Sequence, residues 1–216
     1  AGKIRHIGVT SHSMDVAKEA VKTGLFETLM FPFNIIAAEA EEQLLPLCRQ
    51  HNVGFIAMKP LSGGLLEDVG IALKYLFQFN DVVTLLGMQK TSEVTEAMRV
   101  LNGPRRLTAA EWQQMQQLRE RLGSKFCRRC DYCQPCPQKI PISAVMYGTS
   151  LLKRLTPERL FGGGFAKAFS LALECTECGE CESRCPYHLP IPDMIEEQAS
   201  IYHQAKRAYQ DSLAGR

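Results

Sequence analysis

Eight of the nine cysteines in this 216-residue sequence fall into two short runs in its C-terminal half. In each run, two residues lie between the first and second cysteines and two between the second and third, and a proline follows the fourth cysteine. Structural zinc is usually held by pairs of cysteines, so a third thiol in each run is more than a tetrahedral ion needs. The spacing predicts two [4Fe-4S] clusters, with a zinc-stabilised structural protein as the alternative. The predicted metal ligands are Cys127, Cys130, Cys133 and Cys136 in the first run and Cys175, Cys178, Cys181 and Cys185 in the second.

The fourth cysteine of each run decides how the clusters are closed. The second run has the C-x2-C-x2-C-x3-C-P spacing of bacterial ferredoxins, in which the last cysteine binds the other of two clusters. We therefore predict that Cys185 completes the cluster of the first run and that Cys136 completes the cluster of the second. The first run has two residues rather than three before Cys136, and the alternative in which each run closes on itself stays open.

Composition and charge exclude several classes of partner. Apolar residues make up 45% of the chain and charged residues 22%, which is enough for a globular core. The net charge of +2 gives no reason to expect a nucleic acid or an acidic membrane surface as partner. We find no apolar stretch of the roughly 20 residues that cross a bilayer, and no signal peptide at the start. We expect a cytoplasmic protein whose clustered cysteines bind metal rather than form disulfides, with the isolated Cys48 in the core.

The elements that must carry these residues alternate between strand and helix through the first hundred residues. Apolar runs predict strands over 4–10, 28–33, 54–59 and 82–86, each followed by a segment with helical spacing. This alternation predicts an α/β fold with parallel strands, and the continuous apolar runs predict strands buried on both faces. Asn102-Gly103-Pro104 predicts a boundary between a domain at 1–103 and a mostly α-helical domain at 104–216.

Three segments of the first domain resemble the second half of the barrel of the aldo/keto reductase family. They are GKIRHIGVT at 2–10, IAMKPLSGGLL at 56–66 and GMQKTSEV at 87–94. The cysteine region resembles the helical ferredoxin-like extension that one branch of that family carries. The resemblance implies the second half of a (β/α)8 TIM-type barrel followed by a ferredoxin-like domain. It also implies NADP(H) or NAD(H) at the C-terminal ends of the strands, where such barrels place their chemistry.

By position, the resemblance assigns a set of residues to the nicotinamide cofactor. These cofactor-binding residues are Thr10, Ser11, Met30, Met58, Lys59, Leu61, Ser62, Lys90, Thr91 and Ser92. A cation and two hydroxyls at a helix N-terminus suit the adenosine phosphate. The sequence also departs from the family, which has Asn, Gln, Tyr and Asn where this chain has Ser11, Met30, Met58 and Ala97. Each departure removes a hydrogen bond or a stacking face.

The family's catalytic Asp, Tyr, Lys and His come from the first half of the barrel, so no residue here is assigned to catalysis. His12 lies in a strand-end loop, and we interpret it as a surface or supporting histidine. A half-barrel has two open sheet edges, which soluble proteins avoid. We therefore expect an N-terminal barrel half, in the same polypeptide or in a partner chain.

Two functional hypotheses follow. In the first, an oxidoreductase acts on a small-molecule carbonyl or alcohol substrate and exchanges electrons with an external carrier through the clusters. In the second, the chain is a non-catalytic electron-transfer or docking module whose cofactor site has decayed. Lys125, Arg128 and Arg129 flank the first run, either to offset the charge of a cluster or dock an acidic carrier, or as ordinary solvated charges.

Overall fold

The computed structural model describes residues 2–214, without the side chains of Ser124 and Thr149. The chain forms two compact units, the first ending at Arg128 and the second beginning at Arg129. The division between the units therefore lies later in the chain than the predicted boundary at 103. Neither unit contains a described helix with both the length and the apolar character that crossing a bilayer requires.

The first unit is built on a four-stranded parallel sheet with the strand order β1-β2-β3-β4, as the alternation of strands and helices predicted. Its strands are β1 (Gly8–Thr10), β2 (Thr28–Pro32), β3 (Gly54–Met58) and β4 (Val82–Thr84). The connecting helices are α1 (Met14–Lys22), α2 (Ala40–Gln43), α3 (Leu45–Gln50) and α4 (Val69–Leu76), and α5 (Thr91–Asn102) follows β4. All four strands run the same way, so their carboxyl ends lie along one edge of the sheet.

The two outer strands are shorter and more exposed than predicted. The strand expected over 4–10 is only Gly8–Thr10, and Ile4 before it is 72% exposed. The strand expected over 82–86 ends at Thr84, and Val83 is 64% exposed. The prediction of strands buried on both faces is therefore wrong for β1 and β4. Each of them has a single neighbour among the described strands, so one long edge is not covered by the sheet.

Four aromatic rings form the centre of the first unit. Phe33 makes edge-to-face contacts with Phe55, Tyr75 and Phe79, with ring centroids 5.1–5.9 Å apart. The Tyr75 hydroxyl donates a hydrogen bond to Glu41 at 2.8 Å. Burial and this carboxylate raise the pKa of Tyr75. The cluster fixes the helices that follow β2 and β3 against the sheet.

Helix α6 (Ala109–Leu122) explains why the first unit extends beyond residue 103. A capping box opens it, since Thr108 Oγ accepts from the Glu111 amide at 3.3 Å and Glu111 accepts from the Thr108 amide at 2.7 Å. Met115 is fully buried in the hydrophobic core of the sheet unit. Arg119 donates to the Ile35 carbonyl at 2.8 Å. Helix α6 therefore packs as part of the sheet unit, although a turn separates it from α5.

The second unit is helical around the cysteines. Its helices are α7 (Ile142–Val145), α8 (Gly148–Arg154), α9 (Pro157–Leu160), α10 (Gly163–Ala172), α11 (Glu180–Ser183) and α12 (Ile191–Ala214). Tyr202 of α12 stacks on Phe169 of α10 with ring centroids 4.0 Å apart. Its hydroxyl donates to the Leu160 carbonyl at 3.0 Å, so burial of this tyrosine leaves no unpaired hydroxyl.

Cys48 lies in the core, as expected, and we predict that it is inert to alkylation. It is 2% exposed on α3, and burial raises the pKa of its thiol to about 11 from an ordinary 9.0. Because only the thiolate reacts, iodoacetamide at pH 8 should label Cys48 only after unfolding, as peptide mass spectrometry would show. The raised pKa also means that this thiol's contribution to stability is complete below pH 9 and is lost as the pH rises towards 11. Labelling of Cys48 in the native protein would contradict its burial.

Candidate functional site

Sharp turns separate successive cysteines within the two runs. A residue with positive φ occupies each of four spacers: Arg129 (62°), Asp131 (61°), Glu177 (52°) and Gly179 (75°). Three of these are not glycine, and the left-handed region is unfavourable for residues with a Cβ. Such turns bring sulfurs that are three residues apart in sequence toward a common centre, which is what cluster binding requires.

One set of four cysteines lines a common cavity in the second unit. Cys136 of the first run meets the first three cysteines of the second run there, and Ile140, Ile142 and Ile195 form part of its wall. The three cysteines from the second run are Cys175, Cys178 and Cys181. The structure thus brings together residues from both runs, in the combination that the crossed assignment predicts for one cluster.

The remaining cysteines of the second unit also combine the two runs. Burial raises the pKa of the Cys130 thiol, and Cys185 contributes electrostatically in the same direction. Cys133 and Cys185 are both buried, at 8% exposure each. Cys127 belongs to the first unit, and its place in this set remains a prediction from the spacing.

The donor set fits iron–sulfur clusters. In the part of the chain that the structure describes, no three His, Cys, Asp or Glu side chains are grouped tightly enough to hold one metal ion. The fit therefore depends on chemistry: four thiols and no carboxylate or imidazole line the cavity, with isoleucine side chains beside them. Burial raises the pKa of Cys130 and Cys181, whereas a thiol that coordinates metal is deprotonated outright.

Two side chains that sequence reasoning missed hold the cysteine loops in place. Arg184 precedes Cys185 and donates to the Pro135 carbonyl at 2.7 Å, which ties the end of the second run to the end of the first. Gln134 donates to the Ile140 carbonyl at 3.0 Å and accepts from the Cys136 amide at 2.9 Å. No spacing rule marks these residues, because their partners are set by the folding of the loops.

Burial of Arg128 contradicts two of the interpretations given for the basic residues beside the first run. Its side chain is 6% exposed, donates to the Phe126 carbonyl at 2.8 Å and forms an ion pair with Glu39. Arg128 is therefore neither a solvated charge nor accessible to an acidic carrier. Through this ion pair, Arg128 anchors the chain beside Cys127 to the start of α2 in the sheet unit.

Seven of the predicted cofactor residues follow the carboxyl edge of three neighbouring strands. Thr10 pairs with Met30, and the Ser11 amide donates to the Met30 carbonyl at 3.1 Å. Met58 ends β3 beside Pro32 and is 8% exposed. Lys59, Leu61 and Ser62 lie in the loop that follows β3. The register of the sheet therefore places these seven residues along one edge.

The other three predicted cofactor residues lie at the start of α5. Lys90, Thr91 and Ser92 are exposed at the start of α5, where Glu93 accepts from the amides of Gln89 and Lys90 at 2.6 and 3.2 Å. The Ser11 hydroxyl donates to the Ser13 carbonyl at 3.0 Å and accepts from the Ser13 amide at 3.1 Å. Ser11 thus uses its hydroxyl mainly to stabilise its own turn.

The parallel α/β unit is followed by a helical unit that contains seven of the eight clustered cysteines, and each of the two regions is similar to a known family. The profile of the aldo/keto reductase family matches residues 1–70. The profile of the 4Fe-4S dicluster domain matches residues 126–190. The resemblance to the aldo/keto reductase family is therefore confirmed over residues 1–70, which leaves the segment at 87–94 outside the match, and the cysteine region is confirmed as similar to a 4Fe-4S dicluster domain.

The relatives are similar over the first unit. An uncharacterized oxidoreductase, YqkF, from Bacillus subtilis is 34% identical over 67 residues, which are 31% of this chain and 22% of that protein. The NADH-specific methylglyoxal reductase of Escherichia coli is 34% identical over 65 residues, 30% of this chain and 20% of that protein. The chain thus spans about a fifth of the length of these curated relatives. Among solved structures, the aldo-keto reductase AKR11C1 from Bacillus halodurans gives a TM-score of 0.46 at 23% identity, covering 54% of this chain and 51% of that one.

Proposed function

We propose that the protein is an iron–sulfur oxidoreductase that couples nicotinamide-dependent carbonyl or alcohol chemistry to electron transfer through two [4Fe-4S] clusters. One observation carries the proposal: Cys136 lines a common cavity with three cysteines of the second run, within a segment that matches a 4Fe-4S dicluster domain. A bound [4Fe-4S] cluster supplies one-electron transfer. The fold of the second unit is then ferredoxin-like in its use of the cysteines.

The crossed ligand assignment is part of this proposal. The cavity that Cys136 shares with Cys175, Cys178 and Cys181 supports one half of it, and the electrostatic effect of Cys185 on the Cys130 thiol is consistent with the other. In the first of these sets Cys178 is exposed, whereas Cys133 and Cys185 in the other are buried. We infer that an external electron carrier approaches the Cys178 side.

Cofactor binding at the carboxyl edge of the sheet is the second part. The loop after β3 brings the Lys59 cation and backbone amides to this edge, and such groups suit a pyrophosphate. Lys90, Thr91 and Ser92 would bind the adenosine phosphate at the start of α5. The name of the Escherichia coli relative specifies NADH, which supports a nicotinamide cofactor here.

Catalysis at this site requires groups from outside the described strands. The exposed Ile4, shortly before β1, and the exposed Val83 of β4 fit further strands that would cover β1 and β4. We propose that these come from an N-terminal barrel half, in the same polypeptide or in a partner chain. That half would supply the proton donor, and the substrate would be a small carbonyl or alcohol.

Titration of the anaerobically handled protein with NADPH and NADH tests cofactor binding. We expect enhanced nicotinamide fluorescence on binding, and about tenfold weaker binding in Lys59→Met, since one cation–phosphate contact is worth about 1.5–3 kcal/mol. Lys22→Met, which removes a half-exposed cation from the end of α1, serves as the matched control and should bind as the wild type. Equal affinities for the two variants would contradict the assignment of Lys59.

A non-catalytic electron-transfer module is the second candidate function. Ser11 stabilises its own turn, and Met30 in β2 and Met58 at the end of β3 stand where the family has polar or aromatic side chains. This candidate would be favoured if the iron-loaded chain, joined to an N-terminal barrel half, bound neither NADPH nor NADH. A colourless preparation containing zinc, in place of about eight irons per chain, would exclude both candidates in favour of a zinc-stabilised structural protein.

A further inference from the structure

The loop that follows β3 has an unfavourable backbone conformation that something else must stabilise. Lys59 and Ser62 have φ values of 55° and 49°, and Gly63 and Gly64 have 71° and 99°. The left-handed region costs little for glycine, but it is unfavourable for lysine and serine. Such residues persist where their surroundings over-determine the backbone, and they cluster at ligand-binding sites.

The side chain of Asn34 supplies that stabilisation. Asn34 follows β2 and is fully buried. Its Nδ2 donates to the Lys59 carbonyl at 2.8 Å, and its Oδ1 accepts from Ser62 Oγ at 2.9 Å. The same oxygen accepts from the amides of Ile36 and Ala37, each at 2.9 Å. One carboxamide therefore joins the turn after β2 to both strained residues of the loop after β3.

The chemistry of this contact is specific to asparagine. The Lys59 carbonyl accepts from Asn34 Nδ2 as well as from the Ser62 amide, whereas the Ser62 hydroxyl and two amides donate to Asn34 Oδ1, and a carboxamide offers both a donor and an acceptor. An aspartate at position 34 would accept the same three hydrogen bonds. It would also place a buried carboxylate against the Lys59 carbonyl oxygen, with no hydrogen to share.

The loop held in this way keeps backbone donors for an anion. Within residues 2–214, the amides of Leu61 and Gly63 make no hydrogen bond, whereas those of Ser62 and Gly64 donate to the carbonyls of Lys59 and Leu61 at 2.8 Å. Amides in a left-handed turn form concavities that bind anions. A loop that is already folded loses less entropy when the ligand binds.

We propose that Asn34 is a positioning residue that holds the Lys59–Gly64 loop in its phosphate-binding conformation before the nucleotide arrives. Asn34 itself lies behind the loop, and it acts on the affinity for the pyrophosphate through the backbone of Lys59 and Ser62. The inference rests on the proposed function, because it assumes that a nicotinamide dinucleotide binds at this edge of the sheet. It adds the residue that sets the affinity of that site.

The test compares two variants with the same chemical change. Asn34→Asp should weaken NADPH binding at least tenfold and should speed amide hydrogen exchange of residues 59–66 in the absence of ligand. Asn52→Asp is the matched control, because Asn52 is exposed and precedes β3 at the opposite edge of the sheet. It should bind NADPH as the wild type does. The iron content of both variants should equal that of the wild type, since both residues lie outside the segment 127–185 that contains the predicted cluster ligands.

Three outcomes decide the inference. An Asn34→Asp protein with normal iron content that binds NADPH within twofold of the wild type overturns it. If Asn34→Asp fails to fold, Ser62→Gly replaces it, because glycine accepts a φ of 49° and loses only the hydroxyl that bonds Asn34. That variant should bind NADPH several-fold more weakly, and unchanged binding overturns the inference. If the wild type binds no nucleotide, the proposed function fails, and hydrogen exchange of the loop alone then decides whether Asn34 holds it.

Discussion

The double variant Cys136→Ala/Cys175→Ala is expected to keep about four irons per chain, half of the roughly eight that two cubane clusters contain. In the crossed arrangement both residues bind the same cluster. The first substitution already removes that cluster, and the second leaves the other cluster intact. If each run closes on itself, the two residues bind different clusters and the double variant loses both. Iron and sulfide analysis of anaerobically reconstituted protein distinguishes the two arrangements.

Two further variants make this experiment decisive. Cys133→Ala/Cys175→Ala should lose both clusters in either arrangement, because its residues come from the first three positions of different runs. Cys48→Ala should keep all the iron, since Cys48 is buried in the core of the sheet unit. A nearly iron-free Cys136→Ala/Cys175→Ala protein, beside an intact Cys48→Ala protein, would refute the crossed assignment.

Replacement of Arg128 by methionine is expected to destabilise the sheet unit by about 2–4 kcal/mol, somewhat less than the roughly 3–5 kcal/mol for a fully buried ion pair, because Glu39 is partly exposed. The substitution leaves Glu39, whose side chain is 31% exposed, without its cation. It also leaves the Phe126 carbonyl without its donor. Trp112 of α6 is the chain's one tryptophan, so its fluorescence during urea unfolding reports on this unit.

The neighbouring arginine provides the control for this measurement. Arg129 is exposed, and its guanidinium lies 5.0 Å from the centre of the Tyr147 ring. Arg129→Met has the same change in charge and volume and should cost less than about 1 kcal/mol. Similar unfolding midpoints for the two variants would show that the ion pair of Arg128 contributes little. A fall in iron content in Arg128→Met alone would indicate that the anchor also supports Cys127.

Much of the sheet unit could be predicted from sequence because its signals are local. Apolar runs and helical spacing repeat within about ten residues, so the four strands and their parallel direction were predicted. The extents of β1 and β4 were not. An apolar run indicates a strand, but its exposure depends on whether neighbours cover it, and Val83 and Ile4 lie at uncovered edges.

The domain boundary shows a similar limit. Asn102-Gly103-Pro104 has the composition of a linker, and a turn does interrupt the helices there. Composition cannot show that Met115 enters the core of the preceding sheet, or that Arg119 bonds the carbonyl of Ile35. These contacts join residues far apart in sequence, and they move the division between the units to Arg128.

The sequence alone determined which residues are candidate cluster ligands. Only two or three residues separate successive cysteines in each run, and this short stretch of chain limits the distance between their sulfurs. It also determined the parallel sheet, because the period of apolar residues follows from backbone geometry. Only the tertiary structure decided which residues support these sites. Arg128 pairs with a carboxylate 89 residues away, and Asn34 bonds residues 25 and 28 positions later. Hydrogen-bond partners at such separations are chosen by the packing of the whole unit, and no local pattern records them.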